Sequence, residues 1–529
     1  MTFVPSVHQQ RYFDWITQGT GSAVLEAVAG AGKTTTVMKG AALMRGSATF
    51  LAFNSKIVKE LQERLAASGM SGGDWRVRKE AKTFHSVGLS AMKKAFPDKG
   101  WARAGQAADK PDEKKVLKIA ESLIIEQDRR DLEGLEPAVA AIVAMAKQRG
   151  IGAISRDTPE NWSEMVEHFA LDDALPEDKE EMVPQVIAMA RICLRRSTEN
   201  LDTIDYDDMI YIPLQRNLRL WQTDWVVIDE AQDTNPTRRA LATRLLRPGG
   251  RLVAVGDPHQ AIYGFTGTDN DSLEQIAQQF GCTRLPLTVT YRCPKAVVRE
   301  AQRFVSHITA HETAPEGEVL EYHYDDIMAN ARLGDAVLCR YNKYLVSLVF
   351  KFIRAGVAAK IEGRSIGEGL VKLANRWKSI RTLPALSSKL TDYEQRELAK
   401  AKAKGDEGKM EEIRDRVDTM LVLIERATEQ KIEDVAGLSA MILTLFADTQ
   451  DDQSSRQVTL CSIHRSKGRE WDRVHILGLD EVMPGRCSRD WQMDQEINLQ
   501  YVAVTRAKKI LLKVHGIREE KTLTSLRRD

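Results

Sequence analysis

A lysine and two threonines follow a run of small residues at "AGAGKTT", Ala29 to Thr35. A loop built of Ala29, Gly30, Ala31 and Gly32 can turn its backbone N–H groups inward around phosphates. Lys33 can then reach the β- and γ-phosphates of a nucleotide, and Thr34 can place its hydroxyl on Mg²⁺. Far downstream, "WVVIDEAQDTN" sets Asp229 and Glu230 side by side at the end of an apolar run. An Asp-Glu pair there can act as a helix cap and a first-turn acid. With Lys33 and Thr34 upstream it has a chemical reading: Asp229 in the Mg²⁺ shell, Glu230 orienting and activating a water. The reaction class is phosphoryl transfer from a nucleoside triphosphate to water. A third stretch, "VAVGDPHQAIYGFTG", supplies Gln260 to sense a terminal phosphate, and Tyr263 and Phe265 either to stack on bases or to pack a loop.

These groups need rigid elements beneath them. Val24, Leu25 and Val28 precede the small-residue loop as a strand, and Val37, Met38 and Leu43 follow at helical intervals. Further apolar runs at "WVVIDE", "RLVAVGD", "DAVLCR", "VTLCSI", "VHILGL" and "ILLKV" read as buried parallel strands between helices, which makes the chain α/β. Two stretches break the rhythm. Residues 93–203 carry apolar stripes at Val139, Ile142, Val143 and Ala146, and at Val183, Ile187, Ala190 and Leu194. Residues 365–450 are also helical in pattern and hold the charge-dense "KLTDYEQRELAKAKAKGDEGKMEEIRDRVD", read as solvated helix faces. Both look like helical insertions into sheet domains.

At 529 residues the chain exceeds one hydrophobic core and implies roughly three to four domains or subdomains. A hydrophobic share of 43% and a charged share of 29% are those of an ordinary globular protein. The net charge of +1 excludes a chain that coats polyanions indiscriminately, but leaves room for a local basic groove. Cys193, Cys282, Cys293, Cys339, Cys461 and Cys487 show no metal-ligand spacing and read as reduced packing thiols. "MTFVPSVHQQ" has no basic region followed by an apolar core, and no apolar run could span a bilayer. The expectation is a cytoplasmic protein with no membrane partner.

The ordered series "AGAGKT", "FLAFNSK", "TFHS", "DYDDM", "VVIDEAQDTN", "VGDPHQAIYGF", "LTVTYRC", "SIHRSKGREWD" and "QYVAVTRAKK" resembles the superfamily 1 helicases of the UvrD/Rep/PcrA type, from the first ten residues to near the C-terminus. The resemblance implies two RecA-like P-loop NTPase domains with parallel sheets, each interrupted by a helical insertion. On it the first RecA-like domain takes residues 1–92 and 204–284 around the insertion at 93–203. The second takes 285–364 and 451–529 around the insertion at 365–450.

The resemblance also implies roles. Gln9 reads the adenine edge, Tyr291 stacks on the base, Glu470 holds the ribose, and Arg292 and Arg506 close on the γ-phosphate. Phe53, Asn54, His85, Tyr263, Phe265 and His464 line a single-strand channel, with Gln260 coupling phosphate to DNA. ATP and Mg²⁺ are the implied cofactors. Single-stranded DNA, its junctions with duplex, and proteins of repair, replication or recombination are the implied partners, with 3′-to-5′ movement. Two positions depart from the pattern: Thr35 stands where relatives often have an arginine near adenine, and Thr266 where they commonly have one after an aromatic. Two other activities fit the motifs: a single-strand-dependent ATPase that strips proteins or remodels recombination intermediates with weak unwinding, and a nucleotide-gated nucleic-acid clamp without turnover. The complete hydrolytic set argues against the clamp.

Overall fold

The computed structural model describes residues 3–72, 74–103, 110–175, 177–264, 267–355, 357–377, 379–403, 407–446, 456–485, 487 and 489–517. The chain divides into two compact units, Met1–Val28 with Gly32–Thr288, and Ala29–Ala31 with Val289–Asp529.

In the first unit, α1 (Val7–Gln18) starts at a capping box in which the Ser6 side chain accepts from the Gln9 backbone and the Gln9 side chain accepts from the Ser6 backbone. There follow β1 (Ala23–Ala27), α2 (Lys33–Ala41), β2 (Ala48–Ala52), α3 (Ser55–Ala67), β3 (Lys79–Thr83) and α4 (Phe84–Ala95). The helical segment then runs through α5 (Lys115–Glu126), α6 (Glu136–Arg149), α7 (Pro159–His168) and α8 (Val183–Glu199), and α9 (Asp208–Gln215) leads back to the sheet. The return brings β4 (Thr223–Ile228), α10 (Pro236–Arg244), β5 (Leu246–Gly256), α11 (Ser272–Phe280) and β6 (Thr283–Leu287). The six strands pair in parallel in the order β3-β2-β4-β5-β1-β6.

The apolar stripes of α6 and α8 form the core of the helical segment, around Val139, Ile142, Val143, Val186, Ala190 and Leu194. Inside that core lies a charge cluster. The fully buried Lys147 ammonium meets Asp205 at 2.5 Å and Asp208 at 2.7 Å, and Lys115 reaches Asp208 at 2.7 Å and the Ser197 carbonyl at 2.7 Å. Buried ions persist only when paired and hydrogen-bonded, so the cluster fixes how α5, α6, α8 and the start of α9 meet.

The second unit begins with β7 (Val289–Thr290), α12 (Lys295–Ala301), β8 (Thr309–Ala310), β9 (Glu318–His323), α13 (Ile327–Asn330), β10 (Ala336–Cys339), α14 (Asn342–Arg354) and β11 (Ala359–Glu362). Four helices follow, α15 (Arg364–Ala374), α16 (Leu383–Ala403), α17 (Glu407–Glu429) and α18 (Val435–Leu445). The chain returns through β12 (Val458–Ser462), α19 (Ile463–Ser466), β13 (Trp471–Leu477), α20 (Asp490–Val504) and β14 (Ala507–His515). Its sheet is parallel throughout, ordered β11-β12-β10-β13-β14-β9, with β7 and β8 pairing separately. Each unit is therefore a doubly wound α/β layer of the RecA-like kind, and all seven apolar runs found in the sequence are strands. The strands that escaped the pattern include the buried central β2 as well as β3, β6, β9 and β11, the four sheet edges. An edge strand is covered less and so carries polar residues, as "KEAKT" of β3 does. Among the described residues no helix is long and apolar enough to cross a membrane.

Candidate functional site

β1 delivers the chain into the small-residue loop at the C-terminal edge of the first sheet, and α2 carries it away. Gly30 and Gly32 hold φ of +73° and +74°, a left-handed backbone that glycine adopts without a Cβ clash. Gly32 is the residue before α2, whose first residue is Lys33, and the Thr36 hydroxyl donates to the Gly32 carbonyl at 2.9 Å. The Gly32 N–H and those that follow it are thus available at a helix N-terminus, the geometry that favours an anion. Ala29 and Ala31 are buried, Thr34 is half-buried and Thr35 is exposed.

Opposite the loop, β4 ends at Ile228 and presents Asp229 and Glu230. Lys33 Nζ lies 3.3 Å from the Glu230 carboxylate. Burial pulls the Lys33 ammonium down, but the carboxylates of Glu230, Asp257 and Asp229 outweigh it and hold it above the usual lysine range. The same crowding pushes Asp229 up to about 7, through burial first and the neighbouring Glu230 charge second. Glu230 sits at φ +51°, a left-handed conformation that costs a non-glycine residue on the order of 1–3 kcal/mol and is typical of functional sites. Among the described residues no group of three or more His, Cys, Asp or Glu could hold a metal. The Thr34 hydroxyl and Asp229 carboxylate fit a hard divalent ion that takes its remaining oxygens from phosphate and water. A dication would also relieve the crowding that raises Asp229.

Gln232 and Asp257, which carried no role in the sequence reading, join these groups to Gln260. The Gln232 amide donates to Glu230 at 2.6 Å and accepts from the Asp257 backbone N–H at 3.1 Å, and Gln260 donates to the Asp257 carboxylate at 2.6 Å. Gly256 makes this possible, because a Cβ there would overlap the Gln232 side-chain oxygen. The spacing of Gln232, two residues past Glu230, was the available signal. Its partner is set by β5, which the sequence alone does not align. Gln9 is 3% exposed, and its amide donates to the Thr36 hydroxyl at 2.8 Å.

Phe53, Asn54 and His85 all follow strand ends at this same edge. Phe53 is half-buried under the Arg238 guanidinium, 4.3 Å from its ring centre. Asn54 is exposed, and its side chain caps α3 by accepting from the Ile57 N–H at 2.9 Å. The His85 ring stands perpendicular to Tyr206 with centres 6.1 Å apart, and Tyr206 is itself 48% exposed. Burial and the nearby Arg238 pull His85 down to about 4. Arg238, and Tyr206 of the stretch "DYDDM", are further members of this group, to which the motifs assign no role. Tyr263 is half-buried, and its carbonyl accepts from the Thr268 hydroxyl at 2.7 Å. Phe265 and Thr266 lie outside the described residues.

In the second unit, Arg292 Nε donates to Glu470 at 2.6 Å, so the two residues expected at phosphate and ribose already touch. Tyr291 is 45% exposed, its ring 4.9 Å from that of His311. Arg506 is not a surface arginine: it is 1% exposed, and donates to the carbonyls of Val502 at 2.8 Å and Arg469 at 3.2 Å. His464, at the start of α19, is half-buried and pulled down to about 3 by burial and by Arg340 and Lys467.

Comparison with known proteins matches residues 9–281 to the UvrD/REP helicase N-terminal domain and residues 371–514 to the UvrD-like helicase C-terminal domain. The chain is 26% identical to the ATP-dependent DNA helicase Rep of Escherichia coli K12, over 54% of this chain and 42% of Rep. It is 22% identical to the ATP-dependent DNA helicase PcrA of Staphylococcus epidermidis, over 87% of this chain and 76% of PcrA. Against the ATP-dependent DNA helicase UvrD2 of Mycobacterium tuberculosis H37Rv it is 24% identical, over 92% of this chain and 75% of that protein. The matched part thus spans about two fifths of Rep and about three quarters of the other two.

Proposed function

The chain belongs to the UvrD/REP helicase family, and from that premise we propose that it is an ATP-hydrolysing motor that translocates on single-stranded DNA, 3′ to 5′, and opens duplex at junctions. The observation that carries the reading is the continuous hydrogen-bonded path from Lys33 through Glu230, Gln232 and Asp257 to Gln260. A residue set that only held a nucleotide would not need a carboxylate strained into place beside the phosphate-binding lysine.

In this reading the loop N–H groups and Lys33 bind the phosphates, Glu230 takes the proton of the attacking water, and Gln260 registers the terminal phosphate through Asp257. Thr34 and Asp229 would hold Mg²⁺, which would supply positive charge to the phosphate oxygens. Gln9 and Tyr291 bind the base, with Thr35 offering it no cationic contact, and Glu470 binds the ribose. Arg292 and Arg506 add positive charge where the transition state gathers negative charge. Phe53, Asn54, His85, Tyr263, Phe265 and His464, together with Arg238 and Tyr206, contact the strand. Proteins of repair, replication or recombination are the partners consistent with such a motor.

The test is phosphate release with and without single-stranded DNA, with Lys33→Ala as the blank. Strand-stimulated release that vanishes in the variant supports the motor; release indifferent to DNA overturns it. Displacement of a strand from 3′- and 5′-tailed duplexes then separates an unwinding enzyme from one that moves on single strands and strips proteins.

A further inference from the structure

At the other end of the first sheet, the N-terminal ends of β2, β3 and β4 lie together, with Ala48 in register with Lys79 and with Trp225. Trp75 stands in the turn before β3, and Trp221 just before β4. Their indoles meet edge to face, ring centres 5.6 Å apart, and are 48% and 53% exposed. Phe53, His85 and Glu230 follow the opposite ends of the same strands, roughly 17–20 Å away at the usual rise per residue. The pair is therefore no part of the site described above.

Two half-exposed indoles side by side are a costly surface unless something uses them. Their surroundings are cationic. The guanidiniums of Arg76 and Arg247 lie 5.5 Å and 5.4 Å from the Trp75 ring centre, and the Lys94 ammonium lies 5.8 Å from that of Trp221. Arg78 and Arg219, neighbours of the two indoles in the chain, are exposed. The carboxylates nearby are committed: Asp224 accepts from Arg247 at 2.8 Å, Glu80 from Lys82 at 2.6 Å, and Asp74 from the Arg76 backbone N–H at 2.9 Å. Among the described residues Arg76, Arg78, Lys94 and Arg219 form no salt bridge. Flat apolar faces ringed by uncommitted cations match a flexible polyanion that carries flat apolar groups.

We propose that the Trp75–Trp221 face is a second binding surface for single-stranded nucleic acid, with unpaired bases stacked on the indoles and phosphates held by Arg76, Arg78, Lys94 and Arg219. The surface stands on its own geometry; the motor reading decides only which strand reaches it. A strand passing along both ends of the sheet would be gripped twice, once where hydrolysis acts on it and once where it is only held.

The experiment is ultraviolet crosslinking of the full chain to an oligonucleotide of about 30 residues carrying 5-iodouracil, followed by mapping of the modified peptides. Adducts on Trp75 or Trp221 support the proposal. So does a loss of strand affinity of about tenfold in Trp75→Ala/Trp221→Ala, with strand-stimulated phosphate release intact at saturating DNA. Arg76→Glu/Lys94→Glu, which changes only exposed groups, keeps the test independent of folding: it should make the salt dependence of binding shallower by about one to two. Placing the probe in one or other strand of a fork identifies which one supplies the bases. Adducts confined to the peptides of Phe53 and His85, with affinity unchanged in both variants, overturn the proposal and give the face to a protein partner. Absence of any adduct, together with release that ignores DNA, overturns this proposal and the motor reading together.

Discussion

Lys33 and Glu230 each lean on the other at 3.3 Å, so a change at either one alters both. Lys33→Ala should abolish phosphate release while leaving the binding of a DNA strand largely intact. Retained turnover would remove the phosphate role from this loop. Glu230→Gln keeps the shape and the Gln232 contact but loses the base, so turnover should fall by about 10² or more while bound ATP persists on the protein. Turnover at the parental rate would move proton abstraction to another residue. His85 carries a pH consequence. Its folded-state value is pulled down to about 4 from an ordinary 6.5, so between those values the unfolded chain holds a proton that the folded chain refuses. Its contribution to stability is therefore full above about pH 6.5 and drains away as the pH falls towards 4. Urea midpoints measured across that window should fall less steeply in His85→Gln than in the parent; parallel curves would contradict the burial of His85. The placing of Lys33, Thr34, Asp229 and Glu230 just past the ends of β1 and β4 is legible in the sequence because it is local, a loop before a helix and acids after a strand. The parts of Gln232 and Arg238 are not, because each takes its role from a partner brought by another strand.

The elements that carry these residues are held by a few close approaches. Gly88 of α4 faces α9, and a Cβ there would overlap the Met209 carbonyl. Gly88→Ala should therefore cost roughly 1–3 kcal/mol and lower the thermal midpoint, although alanine favours helices elsewhere. An unchanged midpoint would mean that the α4–α9 crossing yields. Lys147→Met takes the ammonium away from Asp205 and leaves Asp208 with Lys115 alone, and should cost about 3–5 kcal/mol. Replacing all four charges, Lys115, Lys147, Asp205 and Asp208, with apolar residues should cost much less, and equal losses in the two variants would refute the pairing argument. The same logic explains what the sequence could reveal of the elements. Most central strands are apolar on both faces and announce themselves, although the short central β2 does not, whereas β3 and β9 lie at sheet edges and read as polar loops. Lys147 sits within an apolar stripe and looks like its solvated border, yet it is the best buried lysine of the segment.

At the scale of the whole chain, each unit has a sheet and buried cores of its own, so unfolding should not follow one cooperative transition. Trp15, Trp75, Trp101, Trp162, Trp221 and Trp225 belong to the first unit, and Trp377, Trp471 and Trp491 to the second. Tryptophan fluorescence thus weights the first unit, while far-ultraviolet circular dichroism weighs both, and the two denaturation curves should separate. Superimposed curves would mean that the units melt as one. The strand order of the first sheet has a further consequence, for biosynthesis. β1 pairs only with β5 and β6, which are made long after it. At about 5–20 residues per second, a nascent chain that has just finished β1 waits on the order of 10–50 s for both flanking strands to leave the ribosome. During that interval the helical segment, whose core lies wholly between β3 and β4, can fold by itself. The strand that leads into the phosphate loop is meanwhile an unpaired apolar ribbon, the part of the newborn protein most in need of a chaperone.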